Sequence, residues 1–160
     1  MVIKLYSNNL ICEIIKFIDI NLNRKITISE LEKRFYYNRY YIMKLFKKEI
    51  GVTIFEYINI LRTYNASQEI KNNNYSLTKI SLNNGFYSLE YFSEIFKKIT
   101  GLTPSVFKKF WNNNSNISDC NLNKVRNYII SSQEFISRKE KYLKNTKPTT
   151  LPIKKLSIFK

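Results

Sequence analysis

Histidine is absent from all 160 residues, and cysteine occurs only as Cys12 and Cys120. A zinc site needs several cysteine or histidine ligands at short spacing, which two isolated thiols do not supply. A disulfide framework is excluded for the same reason, and the commonest general base of nucleophilic catalysis is missing. Glycine and proline number 3 each, leaving too few breakers to bound the many short strands of a sandwich or barrel. There is also no glycine-rich phosphate loop and no carboxylate pair at acid and base spacing, so no enzyme, cofactor or metal is expected.

Long apolar runs are missing as well. No stretch reaches the roughly 18 residues of a membrane span, and the N-terminal MVIKLYSNNLICEIIKFIDI carries Glu13 and no small-residue cleavage pattern. A cytoplasmic, reducing setting is expected. Negative charge is scarce: 12 acidic residues face 27 Lys plus Arg, for a net charge of +15 and a pI near 9.8. Residues 1–112 hold 17 basic and 9 acidic side chains, residues 113–160 hold 10 and 3, so the tail is the more basic part per residue. Such an excess repels itself unless a polyanion is the usual partner, which points to nucleic acid or an anionic membrane surface.

What the chain does have is a repeat. LFKKEIGVTIFEYI (45–58) and IFKKITGLTPSVFK (95–108) carry Phe-Lys-Lys, Gly and Thr at one spacing. Tyr41 and Tyr91, Phe46 and Phe96, Lys47 and Lys97, Lys48 and Lys98, Gly51 and Gly101, Thr53 and Thr103 all stand 50 apart. Around this repeat the periodicity is helical. Leu10, Ile11, Ile14, Ile15, Ile18 and Leu22 recur at steps of three and four, predicting a helix from Asn9 to Leu22 with Cys12 in its buried stripe. A second helix opens at Thr27 or Ser29 and breaks at 35–38. Asn38 is placed to cap a third helix to about Ile50, which Gly51 ends in a left-handed conformation. Thr53 caps the longest helix, Ile54 to about Lys71. The plan then repeats: a short helix from Leu77 to Asn83, a turn at Asn84-Gly85, a helix from Ser88 to Thr100 closed by Gly101, and a last helix opened by Thr103-Pro104 and running to Trp111. Two helices joined by a tight turn, twice over, are two helix-turn-helix units. The expected fold is all-α, with the two units joined by a long linker helix: about seven helices plus a tail.

On the third helix, Tyr41, Ile42, Leu45 and Phe46 form the expected buried face, leaving Arg39, Tyr40, Met43, Lys44 and Lys47 outward. A basic and aromatic surface suits the major groove, where lysine donates to guanine O6 or N7 and apolar groups touch the thymine methyl. An ordinary solvated face has the same composition. In the second copy Tyr91, Phe92, Ile95 and Phe96 turn inward, leaving Leu89, Glu90, Ser93, Glu94 and Lys97 outward. Two carboxylates one turn apart disfavour phosphate yet can accept from cytosine N4, so this helix is either a base reader or an accessory one.

The stretch NNGFYSLEYFSEIFKKITGLTPSVFKKF (83–110) resembles the signature of the AraC/XylS family of transcription regulators: Gly-Phe after the turn, Tyr-Phe on the buried face, Phe-Lys-Lys, then Gly-x-Thr-Pro. LFKKEIGVTIFEYI with LRTYNA (61–66) resembles the first unit and linker helix, and the likeness runs from about Asn9 to Trp111. It implies a sequence-specific DNA-binding regulator, an activator working through RNA polymerase, that inserts two recognition helices into successive major grooves. By position it implies base-facing roles for Tyr40, Met43, Lys44, Leu89, Glu90, Ser93 and Glu94, beside Arg39 from the helix face above. Lys47, Lys48, Lys97 and Lys98 fall at phosphate positions, and Arg62, Gly85, Phe96, Gly101 and Pro104 at structural ones. A helix starting near Met1 resembles the short stand-alone members, with no small-molecule effector domain and no need to dimerise.

Three departures stand out. Glu94 falls where the family often has Arg. Tyr36 stands opposite the turn glycine Gly85, and a left-handed conformation there costs about 1 kcal/mol. Glu32 replaces a small packing residue, implying a looser first unit. The expected division is a DNA-binding domain over 1–112, with units at about 9–51 and 77–111 and a linker helix at about 54–71. A basic extension over 113–160, helical at about 124–145, either packs on that domain, touches phosphate, or meets a protein or membrane. The alternative function is a non-specific binder of nucleic acid or anionic membrane, with a degenerate second unit.

Overall fold

A computed structural model describes residues 2–72 and 74–113, together with 136–137, 139–140 and 143–144. The helices run α1 (Val2–Ile20), α2 (Ile28–Phe35), α3 (Arg39–Ile50), α4 (Ile54–Asn72), α5 (Leu77–Asn83), α6 (Leu89–Thr100) and α7 (Pro104–Asn113). Among the described residues there is no strand, as expected of an all-α chain. The first helix begins at Val2 rather than Asn9, since residues 2–8 contain no glycine or proline to stop it. The expected tail helix at 124–145 lies for the most part outside the described residues.

Local chemistry sets the helix ends. Thr27 Oγ1 accepts from the Glu30 amide at 3.2 Å, and Ser76 Oγ accepts from Lys79 at 3.2 Å. Thr53 and Glu56 form a reciprocal pair: the Thr53 amide donates to the Glu56 carboxylate at 2.8 Å, and the Glu56 amide to Thr53 Oγ1 at 3.3 Å. Those hydrogen bonds hold the Glu56 carboxyl below its ordinary pKa, with Lys47 and Lys98 close enough to lower it further.

Helix α4 serves two cores. Ile54, Tyr57, Ile58 and Leu61 join α1, α2 and α3 in the first, which also holds Ile11, Ile14, Ile15, Ile18, Leu31, Ile42 and Phe46. Ala66 and Ile70 join Ile80, Phe86, Phe92, Phe96, Leu102 and Phe107 in the second. The buried set 54, 57, 58, 61 and the buried set 63, 66, 67, 70 share one spacing and are offset by 9 residues. Nine residues are about two and a half turns, so the two stripes lie on opposite sides of the helix. The linker is therefore apolar on one face at its start and on the other at its end, and each helix-turn-helix unit packs on its own side.

Arg62 sits at the crossover and ties the units together. Its Nε donates to the Leu22 carbonyl at 2.9 Å and its Nη2 to the Arg24 carbonyl at 2.6 Å, both in the turn after α1. Its guanidinium also lies 5.9 Å from the Phe86 ring centroid, in the second unit. Burial pushes its pKa down from the usual arginine value. Gly85 closes the joint from the other side. A Cβ there would meet the Leu22 carbonyl oxygen at 2.7 Å and the Asn23 carbonyl carbon at 2.8 Å.

Tyr36 does adopt the left-handed conformation, at φ 58°, against φ 76° at Gly85. The difference between the two turns is crowding. Tyr36 is 92% exposed, whereas Gly85 is pressed against the turn at Leu22. Described parts of the extension also reach the first core. Ile136 and Leu143 pack against it, and Lys139 Nζ pairs with Asp19 of α1 at 2.6 Å.

Tyr36→Gly relieves strain alone and is expected to raise stability by about 0.5–1 kcal/mol in urea unfolding. Gly85→Ala is expected to cost about 2–4 kcal/mol, because backbone must move as well. Arg62→Met is expected to cost about 2–4 kcal/mol by the same measurement, with Arg62→Lys recovering only part, since one ammonium on a flexible stem does not replace the fork.

Candidate nucleic-acid interface

The second helix of each unit is anchored along one face and exposed along the other. In α3, Ile42 and Phe46 are fully buried, while Arg39, Tyr40, Met43, Lys44, Lys47 and Lys48 are exposed. Asn38 Oδ1 accepts from the Tyr40 amide at 2.9 Å, fixing the end of the helix where the candidate readers begin. At the other end the Gly51 amide donates to the Lys47 carbonyl at 2.9 Å. Lys47 and Lys48 occupy the last turn, where cations complement the helix dipole.

Glu32 does not simply replace a packing residue. Its carboxylate accepts from the Arg39 amide at 2.8 Å and pairs with the Arg39 guanidinium at 2.9 Å. These bonds hold its pKa below the ordinary carboxylate value, the backbone amide being the largest cause. An exposed ion pair of this kind adds little to stability. Its consequence is positional: α2 is coupled to the first turn of α3, and one nitrogen of the Arg39 guanidinium is already paired.

Tyr41, expected on the buried face, is 45% exposed. Its ring stacks on Tyr37, centroids 5.4 Å apart and planes at 24°. Tyr87 and Tyr91 repeat the arrangement at 4.5 Å and 23°. Each pair joins the residue before the cap to the third residue of the helix, and Tyr37 and Tyr87 stand 50 apart like the other repeated positions. That same offset was the available signal. Tyr91 is further held by Asn59 of α4, whose Nδ2 donates to its hydroxyl at 3.1 Å.

Helix α6 differs in its outward face. Ser88 Oγ accepts from the Tyr91 amide at 3.1 Å and caps the helix. Leu89 is half-buried against the second core, and the Ser93 hydroxyl donates to the Leu89 carbonyl at 2.8 Å. Of the four positions expected to face bases, that leaves Glu90 and Glu94 exposed. The Glu90 carboxyl is held below its ordinary pKa by a backbone amide and by Ser88. Lys97 and Lys98 lie exposed in the last turn, as Lys47 and Lys48 do in α3. No group of three or more metal-binding side chains occurs among the described residues, and no helix there is long and apolar enough to cross a membrane.

Two helix-turn-helix units on one linker, each presenting the outer face of its second helix, define a double helix-turn-helix DNA-binding domain. Residues 31–109 match the family described as Helix-turn-helix domain. The chain is 26% identical over 103 residues to the HTH-type transcriptional activator AarP of Providencia stuartii, covering 64% of this chain and 76% of that protein. It is 28% identical to the Regulatory protein PocR of Salmonella typhimurium over 63% of this chain, and spans only 33% of that protein's length. The DNA-binding domain of AdpA, solved in complex with a target DNA, superposes with a TM-score of 0.60 at 17% identity, covering 66% of this chain and 97% of that one. The chain belongs to the AraC/XylS family and carries its DNA-binding domain, that of a transcription regulator.

Asn38→Ala is expected to lower stability by about 1 kcal/mol in urea unfolding, and Asn38→Asp by much less, because aspartate restores the acceptor for the Tyr40 amide.

Proposed function

We propose that the chain binds duplex DNA sequence-specifically as a monomer, placing α3 and α6 in successive major grooves about one helical turn apart, and activates transcription through contact with RNA polymerase. The observation that carries the reading is the outer face of α3. Tyr40, Met43 and Lys44 stand exposed on a helix whose opposite face is locked into the core and whose start is capped. A rigid helix with a basic and aromatic outer face meets the requirement for reading base edges, since a loose one would lose its register. In this reading Lys47, Lys48, Lys97 and Lys98 contact phosphate. Glu90 and Glu94 accept from cytosine N4, with Leu89 and Ser93 beside them in the second reader. The net charge of +15 supports a polyanionic partner.

Two readers on one chain remove the need for a dimer, and a DNA partner sets the site of action in the cytoplasm. Activation rests on the likeness to AarP, a transcriptional activator by its name. Residues 1–112 form the binding domain, and the basic extension over 113–160 lies beyond the family match.

The test is selection of bound duplexes from a random pool by the purified chain, followed by affinity against salt and against a scrambled duplex. A motif with two boxes about one turn apart is expected. Lys44→Ala is expected to weaken binding to it by about 1–3 kcal/mol and to relax preference at one base pair. Equal affinity for selected and scrambled duplexes would overturn the proposal.

A further inference from the structure

We infer that the first recognition helix reads its half-site chiefly through thymine methyl groups, so that its box is a run of T·A pairs beside the single base pair that Lys44 contacts. The inference rests on the sequence-specific reading above and names the chemistry of one of its two readers.

The argument is one of elimination among the groups that α3 offers. Guanine is most often read by an arginine that donates two hydrogen bonds to O6 and N7, and adenine by an Asn or Gln amide at N6 and N7. The only arginine of α3 is Arg39, and Glu32 holds its guanidinium at 2.9 Å while also accepting from its amide. Turning the Arg39 guanidinium onto a base would give up that ion pair and leave the Glu32 carboxylate, held by the Arg39 amide alone, facing a polyanion. Residues 39–50 contain no Asn or Gln, and the amide just before them, Asn38, has its oxygen committed to the Tyr40 amide. Lys44 remains as one flexible donor.

What the outer face offers in quantity is apolar surface. Tyr40 is 77% exposed and Met43 is 41% exposed, and with Lys44 they follow the spacing i, i+3, i+4 that places them side by side on the helix. In water this surface is a cost; the remedy is a partner that is anionic overall and apolar at the point of contact. A major groove lined with C5-methyl groups between phosphates meets both conditions, with Lys44 and Lys47 on the same helix face. The thioether of Met43 adapts to an uneven row of methyls, and Tyr40 covers a large area with few rotatable bonds.

The experiment takes the full chain and the duplex recovered by selection, and replaces each thymine of the α3 box in turn by deoxyuridine, which pairs identically and lacks only the methyl. Each contacted methyl is expected to lower affinity about fourfold on removal, the equivalent of one buried methylene. With Tyr40→Ala/Met43→Ala, both side chains being exposed, the folded state is checked by unfolding and the thymine and uracil duplexes are expected to bind alike. A wild-type chain that distinguishes selected from scrambled DNA yet binds uracil and thymine duplexes equally would overturn this inference and leave sequence-specific binding intact. A uracil effect that persists unchanged in the double variant would show that DNA deformability is being read, and would overturn it too. Failure to distinguish the scrambled duplex at all would overturn both readings together.

Discussion

The fork of hydrogen bonds from Arg62 to the Leu22 and Arg24 carbonyls is the interaction on which the arrangement of the two units depends. Helix α4 changes its apolar face halfway along, so the two cores that share it lie on opposite sides and have no hydrophobic reason to keep a fixed relation. Arg62 sits at the change of face, donates into the turn that ends α1, and lies beside Phe86 of the second unit. Arginine suits the position because its planar fork is pre-organised and stays charged when buried. Gly85 completes the joint by letting the second turn approach the same backbone to a distance that no side chain tolerates. If the two helices enter successive grooves as proposed, such a joint is needed, because an error in the angle between the readers is an error in register on the DNA.

The joint also explains why one left-handed turn carries glycine and the other tyrosine. Both backbones lie in the same region, and the conformational penalty for a side chain is similar in each. At Tyr36 the penalty is the whole cost, and the side chain projects into solvent. At Gly85 a Cβ would add a collision with backbone, which cannot rotate away as a side chain can. The asymmetry between two copies of one motif thus follows from where each copy touches the other.

Most helix boundaries were legible in the sequence because the chemistry that sets them is local. Asn38, Ser88, Gly51 and Gly101 act on atoms within a few residues, so their roles do not depend on the rest of the fold. The start of α1 was not legible, since the apolar stripe only became regular at Leu10 while the backbone was free to continue back to Val2. Nor was the exposure of Tyr41, because spacing places a residue on a face without saying whether a neighbour such as Tyr37 will hold its ring at the surface. Glu32 was the sharpest misreading in kind: an apparent packing defect became a cap and ion pair once the turn folded it onto Arg39, 7 residues away. Contacts such as Lys139 with Asp19, separated by 120 residues, leave no local pattern at all.

The candidate site was legible as a set of positions but not as a set of available groups, and that distinction matters for what the two helices can do. Arg39, Tyr40, Met43 and Lys44 all face outward as the helical spacing implied, yet the structure pairs Arg39 with Glu32 and leaves an apolar centre with a cationic edge. On α6 the same comparison removes the Ser93 hydroxyl, which is bonded to its own helix, and turns Leu89 against the core, leaving two carboxylates. The units share a backbone plan and differ in sign: one offers donors and apolar surface, the other acceptors. In the proposed reading, thymine methyls satisfy the first and cytosine amino groups the second. In the proposed reading, two helices that accept different bases cannot exchange half-sites, so a single chain built this way would bind an asymmetric sequence in one direction. In that reading, a fixed direction on the DNA would let one chain present the same surface to a polymerase at every site, with no second copy needed to set the register.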